Sequence, residues 1–444
     1  MLNFIKALYI ATRVYWVMSG FILFFVLSQF YPILYPITKV LSFVFIALLL
    51  LDSILLFSKK DALLASRNVA ERLSNGDENK VEISVRNHYP FSIAIEVIDE
   101  IPFQFQVRDF LLKYTLKMNE GKTYQYTLLP TERGEYNFGA LLVYVTSPLG
   151  LIKRRFSFDA DKAVKVYPSF LQMRKYELLA ISNRLTEAGI KKIRKISNNN
   201  EFEQVREYVQ GDDIRTLNWK ATARKSQLMV NQYQDEKSQE VYSLIDMGRA
   251  MKMPFEEMTL LDYSINASLI ISSIAMYKQD KAGLTSFSKN IHQHLTADRR
   301  KIQLVKILET LYRQETNYDE ADYEKLYSNI SSKIKKRSLL LLYTNFESLA
   351  SLKRQIKTFR AISRKHLLIV IFFKNTEINQ IIQEKANNLE GIYVKTIAEK
   401  FEHEKRQIVK ELKKYGIDSI LTEPKNLNVN LINKYLEIKA SGLF

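Results

Sequence analysis

The chain of 444 residues contains no cysteine. This absence excludes disulfides, thiolate metal sites and cysteine nucleophiles, and it fits a reducing compartment. Two phosphate-binding patterns are also missing, since neither G-x-x-x-x-G-K-[ST] nor G-x-G-x-x-G occurs. The five histidines do not cluster in the sequence; His292 and His294 flank Gln293 on a predicted strand or turn and are expected to be exposed. No pairing of a nucleophile with a base is therefore evident.

The formal net charge is +17. Such a charge favours nucleic-acid binding, closeness to an anionic membrane surface, or an acidic protein partner. The basic residues are spread along the chain rather than packed into one arm, which weakens the nucleic-acid interpretation. The length and the hydrophobic content of 47% predict two or three domains with large cores.

Two long hydrophobic runs stand near the start, at about 14–30 and about 40–57. Each can cross, or nearly cross, a hydrocarbon core of about 30 Å. Residues 1–60 are therefore predicted to form two transmembrane helices. Aromatic residues suited to the membrane interface flank the runs: Tyr9, Tyr15, Trp16, Tyr31 and Tyr35. The alternative, a cleaved signal peptide followed by a buried helix, is disfavoured because no small-residue cleavage site precedes the second run.

The basic residues around the two runs predict their orientation. Lys39 alone lies between the runs, whereas Lys6 and Arg13 precede them and Lys59, Lys60, Arg67 and Arg72 follow them. The positive-inside rule then gives a multi-pass protein of the inner (cytoplasmic) membrane, with both termini and the soluble domains in the cytoplasm. Asp52 lies within two turns of the cytoplasmic end, so snorkelling is predicted in preference to a proton-relay role.

The pattern changes to a period of two after the hydrophobic runs. VEISVRN, IAIEVID, YQYTLLP, GALLVYVT and KAVKVYP alternate as strands do, and turn signals separate them. About seven short strands over residues 66–168 predict an all-β sandwich of immunoglobulin-like type. Its expected role is a spacer or a recognition surface above the bilayer.

Apolar strands alternate with amphipathic helices in the last part of the chain. Residues 241–444 are predicted to form an α/β domain with a doubly wound parallel sheet. The helices include LDYSINASLIISSIAMYK and ADRRKIQLVKILETLYR. The predicted strands are VYSLID, AGLTSFS, RSLLLLYT, HLLIVIFF, GIYVKT and DSILT.

Residues 169–240 are predicted to be a linker followed by a charged signature region. In the signature region, opposed charges surround one tryptophan, and the residues concerned are Arg206, Glu207, Tyr208, Gly211, Asp212, Asp213, Arg215, Trp219, Lys220 and Arg224. Gly211 permits a tight turn, and Asp212 or Asp213 can cap the next segment. The preferred interpretation is an ion-pair lattice with Trp219 as a buried plug. The alternative is a docking or catalytic cleft in which paired carboxylates do acid/base work.

Asp246 ends the first predicted strand of the α/β domain, where open sheets of this class bind ligands. A phosphatase-type site would need a second aspartate where Gly248 stands. A receiver-type site would need an acidic pair that the sequence does not place. Both phospho-acceptor interpretations are therefore disfavoured.

The ordered signature motif resembles the family called domain of unknown function 58. SPLGLIKR, VYP and the closing NKYLEIKASGLF also look like that family, so the resemblance covers nearly the whole chain. It implies that the last domain is similar to the von Willebrand factor type A fold, which carries a metal-ion-dependent adhesion site. It also implies a partnership with MoxR-like AAA+ ATPases.

The resemblance raises the question of a metal. The adhesion site uses Asp-x-Ser-x-Ser, a threonine and a second aspartate, whose oxygens suit Mg²⁺. Here the first motif reads Asp246-Met-Gly248-Arg-Ala250, Asn345 stands for the second aspartate, and Thr316 is the candidate hydroxyl donor. The metal site is therefore predicted to be degenerate and empty. The preferred role for Asp246 is to cap a following helix or to pair with an arginine.

These observations predict a non-enzymatic, membrane-anchored scaffold or adaptor without a cofactor. It is expected to bind a MoxR-like AAA+ ATPase in protein maturation or stress response. The predicted docking surface surrounds Asp246, Gly248, Thr316, Thr344 and Asn345. Two alternatives stay open: a hydrolase that uses the Gly211-Asp212-Asp213 cluster, and a nucleic-acid-binding protein.

Overall fold

The chain divides into two compact units, Met1–Val166 and Tyr167–Phe444. Each unit is described by itself. The computed structural model describes residues 6–159, 161–181, 189–190, 200–209, 212, 214–235, 238–256, 258–316, 318–346, 348–383 and 388–441.

Two apolar helices form the first part of the N-terminal unit, as the hydrophobic runs predict. Helix α1 spans Thr12–Leu27 and helix α2 spans Leu34–Phe57, and most of their side chains are exposed. By length and composition α2 can cross a membrane, whereas α1 is shorter. Leu260–Tyr277 passes the same test but is mostly buried, as a core helix of a soluble domain would be.

The rest of this unit is β-rich, in agreement with the alternating sequence pattern. The strands are β1 (Leu8–Ile10), β2 (Leu63–Val69), β3 (Arg72–Ser74), β4 (Asn79–Asn87), β5 (Ile93–Asp99), β6 (Leu112–Leu116), β7 (Gly121–Leu128), β8 (Gly134–Phe138), β9 (Leu141–Thr146), β10 (Ile152–Phe158) and β11 (Lys162–Tyr167). They form a five-stranded sheet, β1-β10-β9-β5-β6, and two three-stranded sheets, β2-β4-β7 and β3-β11-β8. Alternate residues such as Ile83, Val85 and Ile95 point into a shared core because the side-chain period of a strand is two.

The environment of Asp52 differs from the sequence prediction. Its side chain is fully buried and does not snorkel. The carboxylate accepts hydrogen bonds from the Ser147 hydroxyl and from the backbone N–H groups of Leu151 (3.0 Å) and Ile152 (2.9 Å). The turn between β9 and β10 and the first residue of β10 supply these three donors. Asp52 therefore ties α2 to the β-rich part of its own unit.

The C-terminal unit contains a six-stranded sheet with helices on both faces. The sheet strands are β14 (Glu240–Asp246), β17 (Lys281–Phe287), β18 (Ile291–Asp298), β19 (Leu339–Tyr343), β20 (Leu367–Phe373) and β21 (Asp418–Thr422). Their order in the sheet is β18-β17-β14-β19-β20-β21, which is the doubly wound order. Two small antiparallel pairs accompany it: β12 (Asn200–Glu207) with β13 (Met229–Asp235), and β15 (Pro254–Phe255) with β16 (Met258–Thr259).

The helices of this unit lie mostly between consecutive strands. They are α3 (Phe170–Ile181), α4 (Trp219–Lys225), α5 (Leu260–Tyr277), α6 (Ile302–Tyr312), α7 (Tyr323–Lys333), α8 (Leu349–Ser363), α9 (Thr376–Gln383), α10 (Leu389–Lys414) and α11 (Leu427–Ser441). Short 3-10 turns occur at Phe103–Phe105, Ile214–Thr216, Arg249–Met251 and Pro424–Asn426. Adjacent residues of β14 pack into hydrophobic cores on opposite faces of the sheet. Ile245 packs in the core that contains α5, and Leu244 packs in the core on the other face.

Three predictions about this domain are wrong. Strand β18 runs antiparallel to β17, so the sheet is not wholly parallel, and His294 is half-buried with its ring stacked on Tyr242. The segment GIYVKT lies inside helix α10 instead of forming a strand. Asn388 caps that helix by accepting a hydrogen bond from the Gly391 amide (2.8 Å). The cap and the long helix-forming sequence that follows outweigh the local β-branched residues.

Candidate functional site

Asp246 lies at the carboxyl end of β14, a central strand of the sheet, and is buried. Three donors converge on its carboxylate: the Thr344 hydroxyl (2.7 Å), the Tyr323 hydroxyl (3.0 Å) and the Gly248 amide (2.8 Å). Thr344 directly follows β19, and Tyr323 is the first residue of α7. Neighbouring element ends therefore position the whole cluster.

The side chains of the Asp246 cluster are buried. The Tyr323 and Thr344 hydroxyls lie 2.7 Å apart, and the Tyr323 ring packs edge-on against Phe287 and Phe359. Burial raises the pKa of Asp246 above its ordinary 3.8, although the three donors oppose that shift. Burial, followed by the nearby Asp246 charge, raises the pKa of Tyr323 well above its ordinary value. The hydrogen-bond acceptors of the Asp246 carboxyl group are thus occupied by donors from the protein itself.

The residues proposed for a metal do not fit Mg²⁺. Asn345 Oδ1 accepts a hydrogen bond from the Lys405 ammonium (2.7 Å), which also donates to the Phe346 carbonyl (2.6 Å). Thr316 is not among the groups that bind Asp246. Within the described ranges, no three His, Cys, Asp or Glu residues are grouped as ligands for an ion. A divalent cation needs several oxygens free to coordinate it, and here the carboxylate of Asp246 and the amide oxygen of Asn345 are already hydrogen-bonded.

The preferred role from the sequence, a helix cap or an arginine pair, is also not what Asp246 shows. It binds two hydroxyls and the amide of Gly248, and the neighbouring Arg249 pairs instead with Glu320 at 3.3 Å, where both side chains are exposed. Gly248 is closely surrounded: a Cβ there would lie 3.0 Å from Asp246 Oδ1 and 3.0 Å from the Asp319 carbonyl, so these neighbours would have to shift slightly.

The raised pKa of Asp246 predicts a pH-dependent contribution to stability. Because the folded state holds this proton more tightly, the contribution is full below the unfolded pKa of about 3.9 and is lost as pH rises through the folded pKa. The free energy of unfolding of the native protein relative to Asp246→Asn should therefore fall as pH rises from about 4. Urea unfolding of both proteins over that range measures it, and a difference that grows with pH would contradict the prediction.

The signature region forms a small antiparallel unit. Strands β12 and β13 pair, with Glu207 opposite Met229, and Arg206 binds Asp212 through two hydrogen bonds of 2.8 and 2.7 Å. The Val209 amide also donates to Asp212 (2.9 Å). The bond to Arg206 is the main cause that holds the pKa of Asp212 below its ordinary value. One ion pair of the predicted lattice is therefore present.

Several other predicted signature residues cannot be placed in that lattice. Gly211, Asp213 and the side chain of Arg215 lie outside the described residues. The Tyr208 amide donates to the Leu228 carbonyl (2.9 Å), which extends the pairing of the two strands. Lys220 and Arg224 are exposed on α4.

Trp219 is not a buried plug, because it is 68% exposed. It opens helix α4, whose preceding residue Asn218 accepts a hydrogen bond from the Ala221 amide (3.0 Å). None of the seven residues of this helix is buried. The short helix has no apolar face turned to a core, so the tryptophan stays at the surface.

Two cavities flank Asn345 at the carboxyl end of the sheet. The smaller, of about 130 Å³, borders Asp246, Gly248, Arg249 and Tyr323. The larger, of about 360 Å³, is mostly apolar and lies beside β20, α9 and α10. The edge predicted to dock a partner is therefore concave on both sides of Asn345.

Comparison with known proteins confirms the resemblance in sequence over part of the chain, whereas the resemblance was expected to cover nearly all of it. Residues 204–381 match the family described as "Protein of unknown function DUF58". The uncharacterized protein YeaD of Bacillus subtilis is 30% identical over 234 residues, which cover 51% of this chain and 56% of that protein. The match thus spans about half the length of that relative.

Solved structures give weaker likenesses. The conserved hypothetical protein BatB from Bacteroides thetaiotaomicron is 11% identical with a TM-score of 0.31, covering 45% of this chain and 98% of that one. The SpRpn10 VWA domain is 13% identical with a TM-score of 0.27, covering 44% and 94%. The CARDB domain of PF1109 from Pyrococcus furiosus is 15% identical with a TM-score of 0.18, covering 23% and 86%.

Proposed function

We propose that this chain, which matches the DUF58 family over residues 204–381, is a membrane-anchored scaffold without enzymatic activity. In this proposal an immunoglobulin-like sandwich and a von Willebrand A-like domain follow two transmembrane helices. A protein partner docks at the carboxyl end of the α/β sheet. The observation that carries the proposal is the buried, hydrogen-bonded Asp246 cluster, because a carboxylate engaged by three internal donors supports a rigid surface better than a reaction centre.

The anchor is proposed to lie in the inner membrane, with the soluble domains in the cytoplasm. The exposed apolar side chains of α1 and α2 support this part, because water does not solvate such surfaces well. Arg154 supports it further: its guanidinium donates to the carbonyls of Leu56 (2.6 Å) and Lys59 (2.7 Å), at the end of α2. A cation at that helix end suits the cytoplasmic side of an anionic bilayer.

The partner is proposed to be a MoxR-like AAA+ ATPase, and this chain would act as its adaptor or receptor in protein maturation or stress response. Arg249 and Glu320 form an exposed ion pair at the rim beside Asp246. Exposed charges of this kind set the orientation and the rate of protein association. The alternative, a hydrolase that uses the Gly211-Asp212-Asp213 cluster, is disfavoured for a separate reason. Both carboxylate oxygens of Asp212 already accept hydrogen bonds from Arg206.

The test compares the full chain, crosslinked in membranes and purified in detergent, with two charge-reversal variants. Arg249→Glu changes the rim, and Lys306→Glu changes an exposed lysine of α6 as the matched control. We expect an AAA+ ATPase to be recovered with the native chain and the control. Recovery with Arg249→Glu should fall about tenfold, which corresponds to about 1.4 kcal/mol.

Two results would overturn the proposal. One is the absence of any AAA+ ATPase among the proteins crosslinked to the native chain. The other is a catalytic turnover that Asp212→Asn abolishes while the fold and partner binding persist, because the hydrolase would then be correct.

A further inference from the structure

The larger cavity has the properties of a binding site. Its volume of about 360 Å³ lies within the usual range of ligand pockets, about 300–1,000 Å³. Apolar side chains from five elements (β15, α5, β20, α9 and α10) and from the loop before β15 line it: Met253, Phe255, Leu260, Phe373, Ile378 and Phe401. A concave apolar surface assembled from distant parts of the chain can accept an apolar side chain of another molecule.

An exposed apolar stripe on α10 continues from this cavity. Phe401 lines the cavity, and Ile397, Val394 and Tyr393 precede it by four, seven and eight residues. Residues at these spacings share one face of a helix. All four are exposed, Tyr393 to 69%. The stripe is about 12 Å long, or roughly two turns, which matches the spaced anchors of a partner helix.

The charge around the cavity selects an acidic occupant. Lys374 and Lys405 both line it. The only carboxylate among the lining residues is that of Glu402, and Arg406 pairs with it at 2.6 Å. The lining residues therefore carry two ammonium groups against one carboxylate, and that carboxylate is paired with Arg406, which favours acidic side chains beside the apolar anchors.

We infer that the cavity and the α10 stripe together bind an amphipathic helical segment of a partner protein, with apolar residues on one face and acidic residues beside them. The inference rests on the proposed scaffold function and names the chemistry of the segment that the scaffold recognises. The segment inserts one apolar side chain between Phe401 and Phe373. Its remaining apolar residues cover Ile397, Val394 and Tyr393, and its carboxylates face Lys374 and Lys405.

The probe is a display library of random peptides of about 16 residues, enough for a helix of about 24 Å. The full chain is immobilised in detergent, and selected peptides are sequenced. We expect the enriched peptides to carry apolar residues three or four positions apart and a net negative charge. No enrichment, or enrichment of basic peptides, would overturn the inference, as would selected peptides that bind Phe401→Glu as tightly as the native chain.

Variants then locate the site, with binding of the best peptide measured by fluorescence anisotropy. Ile397→Glu and Lys374→Glu should each weaken binding about tenfold or more, as for a central interface residue. Val305→Glu and Lys306→Glu make the same changes at exposed positions of α6 and should leave binding unchanged. Equal loss in the α6 controls would contradict the site. If an ATPase still crosslinks to Ile397→Glu, only this inference is wrong. If no ATPase crosslinks to the native chain, the proposed function is wrong.

Discussion

Replacing Asp52 with leucine is expected to lower the free energy of unfolding of the N-terminal unit by about 3 kcal/mol or more. The carboxylate accepts hydrogen bonds from the Ser147 hydroxyl and from the amides of Leu151 and Ile152, and leucine can accept none. Buried donors left without a partner cost about 1–3 kcal/mol each. Thermal unfolding of the full chain in detergent, followed by near-ultraviolet circular dichroism, measures the loss.

Hydrogen exchange gives a local readout of the same change, because the amides of Leu151 and Ile152 should exchange faster in Asp52→Leu. Asp61→Leu is the matched control, since it removes an exposed carboxylate close to the end of α2. It should leave both unfolding and exchange unchanged. Unchanged unfolding of Asp52→Leu would show that the three donors find other partners, and the role assigned to Asp52 would be wrong.

The error over Asp52 shows what a hydrophobic pattern can predict. The apolar run gave the position of α2, because helix formation in such a run depends on neighbouring residues. The donors to Asp52 come from a turn that is 95 to 100 residues away in sequence. No residue near Asp52 in the sequence indicates that turn. The prediction therefore rested on the position of Asp52 near a helix end, where a carboxylate can extend to the aqueous surface.

In the α/β sheet, too, the local sequence predicts the elements that depend on neighbouring residues. Near-continuous apolar runs such as RSLLLLYT and HLLIVIFF predict buried strands correctly, because both faces of a central strand are covered. The edge strand β18, with the sequence IHQHLTAD, lacks such a run. Its antiparallel pairing with β17 was therefore not predicted. GIYVKT has strand-forming residues, but the cap at Asn388 and the helix-forming sequence after it decide the outcome.

The candidate site was predicted in position but not in composition. Asp246 was identified because strand ends gather at one edge of an open sheet, and Thr344 was included in that surface. Tyr323 was missed, since a tyrosine at the start of a helix carries no signal that it will be buried against a carboxylate. Trp219 was expected to be buried from its type alone, and a short helix without a core-facing side leaves it exposed.

Replacing Gly283 with alanine is expected to destabilise the C-terminal unit by about 3 kcal/mol, at the upper end for overpacking a core. Gly283 pairs with Tyr242 across β17 and β14, and a Cβ would lie 2.3 Å from Tyr242 Cε1 and 3.0 Å from the Leu295 carbonyl. The buried tyrosine ring must move away. It would then lose its stacking on His294 and the hydrogen bond that its hydroxyl accepts from the Ala297 amide (3.1 Å). Urea unfolding of the full chain measures the loss.

His294 reports whether the tyrosine ring has moved. Burial holds the pKa of His294 below its ordinary value of 6.5, so displacement of Tyr242 should raise it towards that value. A titration of His294 followed by nuclear magnetic resonance tests this in the folded variant. Gly121→Ala is the control, because the Cβ there meets its nearest atom, Arg86 Cγ, at 3.7 Å, and unfolding should not change. If Gly283→Ala unfolds like the native protein with the His294 pKa unmoved, the sheet accommodates the methyl group, and the close packing of Tyr242 does not require glycine at position 283.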